Sequence, residues 1–539
     1  MLTAEPVRPL RSVLVANRGE IAVRILRAAE DAGMRGVAVH TAADADALHV
    51  RRAAQSVPIP DYLDIDAIVD AALVAGVDSV HPGYGFLAEN ADAAAAVTAA
   101  GLVWVGPPAA VIADLGDKLT ARRIAREVGA PLTAGTDAID DVAVVEAFAA
   151  AHGLPILLKA AFGGGGRGMR VVRDAAGIAE AFAAASRESA AAFGRGTVYA
   201  ERLLEGARHV EVQVLADEAG TVLVLGLRDC SVQRRNQKLL EEAPAPALPD
   251  GVRERLVESA RAICVAAGYR GAGTVEYLVG PGGEVSFLEV NTRLQVEHPV
   301  TEETTGVDLV AEQFRIAAGA LFLSAADPPT RGHAFEFRLV AEDPHAGFLP
   351  GPGTLTALRV PSGPGVRWDG GVEAGDAVDG RYDSMFGKLI VSGPDRPSAL
   401  RRARRALDEL EITGVPTPVA FYRWLLDHPD FAGDFAVHNR WVDAVIGELP
   451  KPETPLDRVT VRVGRRSFPV ALPGLATLGD RAAEIVAGLR GPGEAGPADS
   501  LVLSPMQGTI VTVAVKEGDV VAVGDLIAVL EAMKMQNPV

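Results

Sequence analysis

Cysteine is almost absent from the 539 residues: Cys230 and Cys264 are the only two. Two thiols make no disulfide framework and suit a reducing compartment. No apolar run comes near the roughly 18–20 residues that a membrane span needs. The opening MLTAEPVRPLRSVLVANRG lacks both a continuous apolar stretch and a cleavage pattern, so no signal peptide is read there. Together these absences predict a cytoplasmic protein. Positive charge is also in deficit, with 52 Lys and Arg against 70 Asp and Glu for a net −18. An acidic surface repels nucleic acid and anionic membranes, which excludes both as bulk partners; a local basic pocket can still take a nucleotide.

What is present describes a folded, multidomain chain. A hydrophobic fraction of 49% beside 23% charged residues provides packed cores under an ordinary polar surface. Length alone allows about three to five domains. Residues 12–16 (SVLVA) read as a buried strand and residues 21–32 as a helix with apolar Ile21, Ile25, Ala28 and Ala29. Strands at 36–40 and 78–81 follow, so the order strand–helix–strand predicts a parallel sheet in a nucleotide-fold-like domain. Its boundary is expected at 116–122. Helices then mix with longer strands to about Gly319, and residues 333–446 read as α+β. Residues 447–499, with Pro450, Pro452, Pro455 and the stretch RGPGEAGPADS, read as a linker with some local structure. From 501 to 531, short apolar strands joined by turns such as Gly524-Asp525 give an all-β pattern.

Three segments carry chemistry. In the first, Lys159 precedes Gly163, Gly164, Gly165 and Gly166. Consecutive glycines let backbone N–H groups approach a phosphate chain, and the lysine adds a point charge. A flexible hinge explains such a run equally well, and no Gly-Lys-Ser/Thr makes it a Walker A loop. In the second, FLEVNTRLQVEHP, a strand places Glu289, Asn291 and Arg293 on one face, because side chains alternate with period two. A Glu and an Asn on one face form a hard oxygen site suited to Mg²⁺, and Glu276 on a neighbouring strand completes it. A half-exposed strand meeting water is the plainer explanation, but it leaves the density of Asn, Arg, Gln and Glu unexplained. The third, RDCSVQRRNQK from Arg228 to Lys238, clusters cations for phosphate or bicarbonate, or else is a solvated loop. Cys230 within it reads as structural, since no His/Asp arrangement supports a nucleophile.

These segments occur in this order together with HPGYGFLAEN at 81–90 and the turn Gly116-Asp117-Lys118. The chain thereby resembles the biotin carboxylase family of ATP-grasp enzymes over about residues 11–446. EAMKM at 531–535 resembles the biotinylation motif of biotin carrier domains, with Lys534 as the acceptor. The resemblance implies an α/β multidomain architecture. It comprises a Rossmann-like pre-ATP-grasp domain (1–120), an ATP-grasp domain (121–330), an α+β C-terminal carboxylase domain (331–446), a linker (447–499) and a partial all-β biotinyl domain (500–539).

Site roles follow from the resemblance residue by residue. Lys118 and Lys159 are expected on the ATP phosphates under a lid formed by the four glycines. Glu201 and Leu204 fall at the adenine, with His209, Gln233 and Asn236 at further nucleotide positions. Glu276, Glu289 and Asn291 match the Mg²⁺ or Mn²⁺ ligands. Lys238, Arg293, Gln295, Val296 and Glu297 correspond to the bicarbonate site, with Glu297 as general base. Arg338 is expected beside the biotin ureido oxygen. In the implied chemistry, bicarbonate attacks the γ-phosphorus, the resulting carboxyphosphate releases CO₂, and phosphate deprotonates biotin N1′. Asn236 stands where the family commonly has His, and Phe162 where a small residue is common.

The same resemblance implies an acyl-CoA carboxylase α chain, with acetyl- or propionyl-CoA as acceptor of the complete enzyme. The implied cofactors are biotin on Lys534, ATP and a divalent cation. The implied partners are a carboxyltransferase β subunit, a biotin protein ligase and a second copy of the chain. A carbamoyl-phosphate synthetase-like ligase and a non-catalytic carrier or assembly subunit are the alternatives. Since only the first half of a carrier barrel precedes Val539, residues 501–539 are expected to be poorly ordered or inefficiently biotinylated.

Overall fold

The computed structural model describes residues 2–160, 169–193, 196–451, 456–463, 466–473, 509–516, 521, 526–532 and 535–538. The chain divides into two compact units, one holding Met1–Gly447 and the other most of the residues after it.

The first unit begins with a five-stranded parallel sheet. Its strand order is Gln55–Pro58, Arg35–His40, Ser12–Val15, Ser79–His81, Val103–Trp104. Ser12–Val15 is buried along its length, as expected of a central parallel strand covered on both faces. Helix Gly19–Asp31 follows and buries Ile21, Ala22, Ile25, Ala28 and Ala29 at helical spacing. Helix Ile65–Ala75 starts where Asp64 accepts a hydrogen bond from the Ala67 amide and stops at Gly76, whose φ of 60° needs no Cβ accommodation.

A small lobe follows, with the sheet order Arg170–Val172, Ile156–Ala160, Val198–Arg202 and the helices Val142–His152 and Ile178–Phe193. It has a core of its own, in which Val145, Phe148, Ile156, Leu158, Val172 and Val198 pack together.

The main sheet has eight antiparallel strands. Their order is Val285–Asn291, Gly271–Val279, Arg208–Ala216, Val222–Arg234, Gln237–Ala243, His333–Val340, Met385–Gly393, Val366–Gly370. Five of these strands precede residue 330 and three follow it. The division expected at 330/331 therefore runs through a continuous sheet, joined where Leu240 faces Phe337 and Glu241 faces Glu336.

In the second unit, the interval read as a linker contains a hairpin of Leu456–Val463 with Arg466–Pro473, paired from Leu456↔Pro473 to Val463↔Arg466. The alternation of Val459, Val461 and Val463 is the strand signal that the nearby prolines obscure. A three-stranded sheet then joins Thr509–Val513, Ala528–Ala532 and Met535–Pro538. Lys534, Phe162 and the four glycines 163–166 lie outside the described residues, as do the expected strand at 501–505 and most of that at 520–524. No helix among the described residues is long and apolar enough to cross a membrane.

Candidate active site

One lateral row across the main sheet organises the site. Arg228, Glu211, Glu276 and Glu289 stand opposite one another on four neighbouring strands. Cross-strand neighbours lie about 4.5–5.5 Å apart, and like charges facing each other at that spacing repel. Three adjacent glutamates therefore require cations. Arg228 supplies the first: wholly buried, it donates to Glu211 Oε1 at 2.5 Å and to Gln213, Thr274 and Thr301. Lys238 supplies the second, its Nζ lying 2.7 Å from Glu211, 3.0 Å from Glu276 and 2.6 Å from Glu297. His209 Nε2 lies 2.9 Å from the other oxygen of Glu276. Burial disfavours a protonated His209, yet the Glu276 charge outweighs it and raises the imidazole pKa.

Glu297 is the centre of the arrangement. Fully buried, it is held by Lys238 on Oε1 and by Arg338 Nη2 at 2.9 Å on Oε2. Burial alone would push its carboxyl up, but Lys238, Arg338 and Arg228 keep it well below the usual range. It is thus an ionised carboxylate, the form a proton acceptor must have. Burial likewise opposes the charge on Glu276, and Lys238 with His209 reverses the balance so that it too stays ionised. Glu276 Oε1 further accepts from Asn291 Nδ2 at 2.8 Å and Gln295 Nε2 at 3.0 Å. Arg293 ties this group to the first domain. Its guanidinium donates to Glu89, Asn291 and Gln295 at 2.8, 3.0 and 2.7 Å. The carbonyl of Val296 accepts from Lys388 Nζ at 2.7 Å.

The expected metal ligands can be tested on this geometry. Among the described residues no hydrogen bond reaches the Glu289 carboxylate, and burial together with the facing Glu276 raises its pKa. Two opposed carboxylates with one left unpartnered fit a divalent cation bound through oxygen, and Asn291 lies beside them. Two other groups have metal-ligand spacing, His209 with Glu211 and Glu276, and Glu211 with Cys230 and Glu297. The ammonium of Lys238 already stands among those carboxylates.

In the small lobe, Lys159 pairs with Glu201, whose other oxygen takes Arg122 at 3.2 Å. The Glu201 carboxylate is thereby occupied, and its backbone lies between Leu157 and Gly135, paired with each. Lys118 is disfavoured as a cation by burial, against the pull of Glu289. Leu204 is half-buried beside Gly280. Gln233 donates to the Cys230 carbonyl at 3.1 Å and lies 3.4 Å from His209 Nδ1.

The cationic run does not converge as one cluster. Arg228 is consumed by Glu211, and Arg234 donates to the Gly347 carbonyl. Arg235 and Asn236 have φ of 48° and 67°, forming the exposed two-residue turn between paired Arg234 and Gln237. Of the run's cations, Arg228 and Lys238 reach the carboxylates, and Arg234 and Arg235 do not. An Asn suits a hairpin turn that needs positive φ at both central positions. Cys230 is fully buried, its thiol pKa pushed far up by burial and by Glu211, as expected of a structural cysteine.

Glu211, Glu241, Glu89, Arg122 and Lys388 were not singled out from sequence. Glu211 had a signal, since HVEVQVL sets His209, Glu211 and Gln213 on one face of a valine-rich strand. Glu89 lies in the stretch HPGYGFLAEN, but nothing local marks it or Lys388 as a partner, because the groups they meet are 204 and 92 residues away.

Four family models match the chain: "Biotin carboxylase, N-terminal domain" over residues 9–112, "Carbamoyl-phosphate synthase L chain, ATP binding domain" over 117–324, "Biotin carboxylase C-terminal domain" over 336–444 and "Biotin-requiring enzyme" over 500–539. A biotin-dependent acyl-coenzyme A carboxylase alpha3 subunit of Mycobacterium leprae is 51% identical, covering 98% of this chain and 94% of its own. A biotin carboxylase from Campylobacter jejuni, solved as a β,γ-ATP complex, superposes with a TM-score of 0.79 at 39% identity over 81% of this chain and 99% of its own. The biotin carboxylase domain dimer of Hydrogenobacter thermophilus 2-oxoglutarate carboxylase, holding MgADP, ADP and bicarbonate, also scores 0.79 at 39% identity, over 83% of this chain and all of its own.

Proposed function

Because the chain belongs to the biotin carboxylase family and performs the ATP-dependent carboxylation of biotin within a biotin-dependent carboxylase, we propose that it is the α chain of an acyl-CoA carboxylase. It passes carboxybiotin, carried on Lys534, to a carboxyltransferase on a separate β subunit, with acetyl- or propionyl-CoA as acceptor. A biotin protein ligase loads Lys534, and the carboxylase portion pairs with a second copy. The Mycobacterium leprae relative, which matches almost end to end, supports this reading.

The observation that carries the site assignment is Glu297, buried and ionised between Lys238 at 2.6 Å and Arg338 at 2.9 Å. When bound, magnesium ATP supplies the phosphoryl group that activates bicarbonate, and biotin supplies the nitrogen that receives the carboxyl. Glu297 takes the bicarbonate proton, while Lys238, Arg293, Gln295 and the Val296 backbone hold the anion. Lys118 and Lys159 take the ATP phosphates, Glu201 and Leu204 lie at the adenine, and Glu276, Glu289 and Asn291 offer oxygens to the cation. Arg338 and Lys238 are the partly open members of the cluster, 15% and 12% exposed, whereas the carboxylates they hold on Glu241 and Glu297 are 0%. Of these two cations, Arg338 is the one given to the ureido oxygen of biotin, with Lys238 left to the bicarbonate.

The test is bicarbonate-dependent ATP hydrolysis with free biotin. Wild type is expected to hydrolyse ATP faster when biotin is added, and Arg338→Ala to lose about 10²-fold in kcat/KM for biotin. ATP turnover indifferent to biotin in the wild type would overturn the reading. Mixing the biotinylated chain with carboxyltransferase subunits and an acyl-CoA series tests the acceptor.

A further inference from the structure

Arg338 is shared by two carboxylates, of which the proton transfer uses one. Nη2 donates to Glu297 Oε2 at 2.9 Å, while Glu241 Oε1 accepts from Nε at 2.6 Å and lies 2.6 Å from Nη2 as well. Glu241 is fully buried on Gln237–Ala243, one strand away from Arg338, and its other oxygen has no hydrogen-bond partner among the described residues. Directly opposite stands Glu336, also fully buried, with neither oxygen hydrogen-bonded among the described residues. Tyr422, on helix Val419–Asp427, donates to the carbonyls of Leu239 and Arg338 at 2.9 and 2.7 Å, clamping the two strands. The backbone beneath Arg338 is thus rigid, and the direction of its guanidinium depends on the two carboxylates.

Those carboxylates cannot act alike. Glu297 gains a proton during turnover, and a neutral acid holds a guanidinium far less strongly than a carboxylate. With Glu297 as the only anchor, Arg338 would loosen at the moment biotin needs it. We propose that Glu241 is a positioning residue that holds Arg338 through Nε and Nη2 while Glu297 exchanges its proton, keeping the guanidinium aimed at the ureido oxygen. This rests on the role given to Arg338 above.

The groups facing Glu241 are consistent with that duty. They are Arg338 and Glu336 from His333–Val340, Glu297, Lys238 from its own strand, Cys230 from Val222–Arg234, and Tyr422. Burial raises Glu241 to about 7, with Arg338 pulling down and Glu297 pushing up. Burial pushes Glu336 well above the carboxylate range despite Lys388, with Glu241 adding to the rise, so Glu336 stays a neutral acid that does not compete for Arg338.

The experiment is steady-state kinetics of the full chain with free biotin, comparing Glu241→Gln, Arg338→Ala and the double variant. Glu241→Gln is expected to lower kcat/KM for biotin by roughly 10- to 100-fold while KM for ATP moves by less than about twofold. The double variant should be no worse than Arg338→Ala alone, since Glu241 acts through that side chain. In the wild type, kcat/KM for biotin should fall as pH drops through about 7, as Glu241 takes up a proton, and this step should vanish in Glu241→Gln. If Glu241→Gln does not fold, Glu241→Asp, which keeps the charge at shorter reach, should show a smaller loss with the same pattern. Additive losses, wild-type kinetics in Glu241→Gln, or equal damage to the ATP and biotin parameters would each overturn the proposal. Wild-type biotin kinetics in Arg338→Ala would instead remove the role of Arg338 itself, and the proposal with it.

Discussion

A carboxylate buried with too few donors makes stability depend on pH, and Glu342 is such a group outside the catalytic row. It is 1% exposed, accepts from Ser384 Oγ at 2.6 Å, and leaves Oε2 unpartnered among the described residues. Burial raises its pKa to about 7, the Ser384 hydrogen bond only partly offsetting it. Because the folded value lies above the unfolded one, the stabilisation is complete below the unfolded carboxyl pKa and is lost as pH rises through about 7. Glu342→Gln removes the ionisation, so relative to wild type it should gain about 1–3 kcal/mol between pH 5 and pH 8. Thermal unfolding at both pH values checks this. At this scale, residues were legible where their neighbours in sequence were also their neighbours in space. Glu289, Asn291 and Arg293 stand close together, and Arg293 donates to Asn291 at 3.0 Å. Asn236 was read as a nucleotide position, but which of the residues between Arg228 and Lys238 turn inward depends on where the hairpin reverses. The reversal at Arg235 and Asn236 leaves Lys238 facing the carboxylates and turns those two residues outward.

Among elements, one close coupling to the site passes through a glycine. A Cβ on Gly371 would lie 2.4 Å from the Glu20 amide nitrogen and 2.6 Å from the Gly19 carbonyl carbon, both backbone atoms at the start of helix Gly19–Asp31. Glu20 in turn pairs with Lys388 at 3.1 Å, and Lys388 holds the Val296 carbonyl beside Glu297. Gly371→Ala should therefore cost about 1–3 kcal/mol of stability, because neither backbone can yield without moving its element. It should also lower kcat, since the displaced helix carries Glu20 away from Lys388. A melting temperature and a turnover number on the same preparation test both. The strands and first helix were legible from periodicity, but nothing local marks Gly371 as a contact between a late strand end and the first helix.

For the molecule as a whole, the eight-stranded sheet predicts how the chain can be divided. Ending it at 330 would strip Gln237–Ala243 of its partner His333–Val340, leaving an apolar edge and removing Arg338 and Tyr422. Residues 1–330 should therefore aggregate when expressed alone. Residues 1–447, which form one compact unit, should keep kcat with free biotin within about twofold of the full chain, because every residue of the site lies inside it. Solubility and biotin-dependent ATP hydrolysis of the two fragments provide the measurement.

Local sequence by itself determined the parallel first sheet, the carboxylate-bearing strand 285–291, the all-β pattern near the chain's end and, through its motifs, the family. Each of these depends on side-chain alternation or on residues a few positions apart, which backbone geometry converts directly into shared faces. Only the tertiary structure decided that Glu211, Glu276 and Glu289 form one row, that Lys238 stands among three carboxylates, and that Glu241 shares Arg338 with Glu297. Those contacts join strands up to 97 residues apart. Their register is set by the packing of whole sheets and by the need to balance buried charge, and neither is written in any single stretch of the chain.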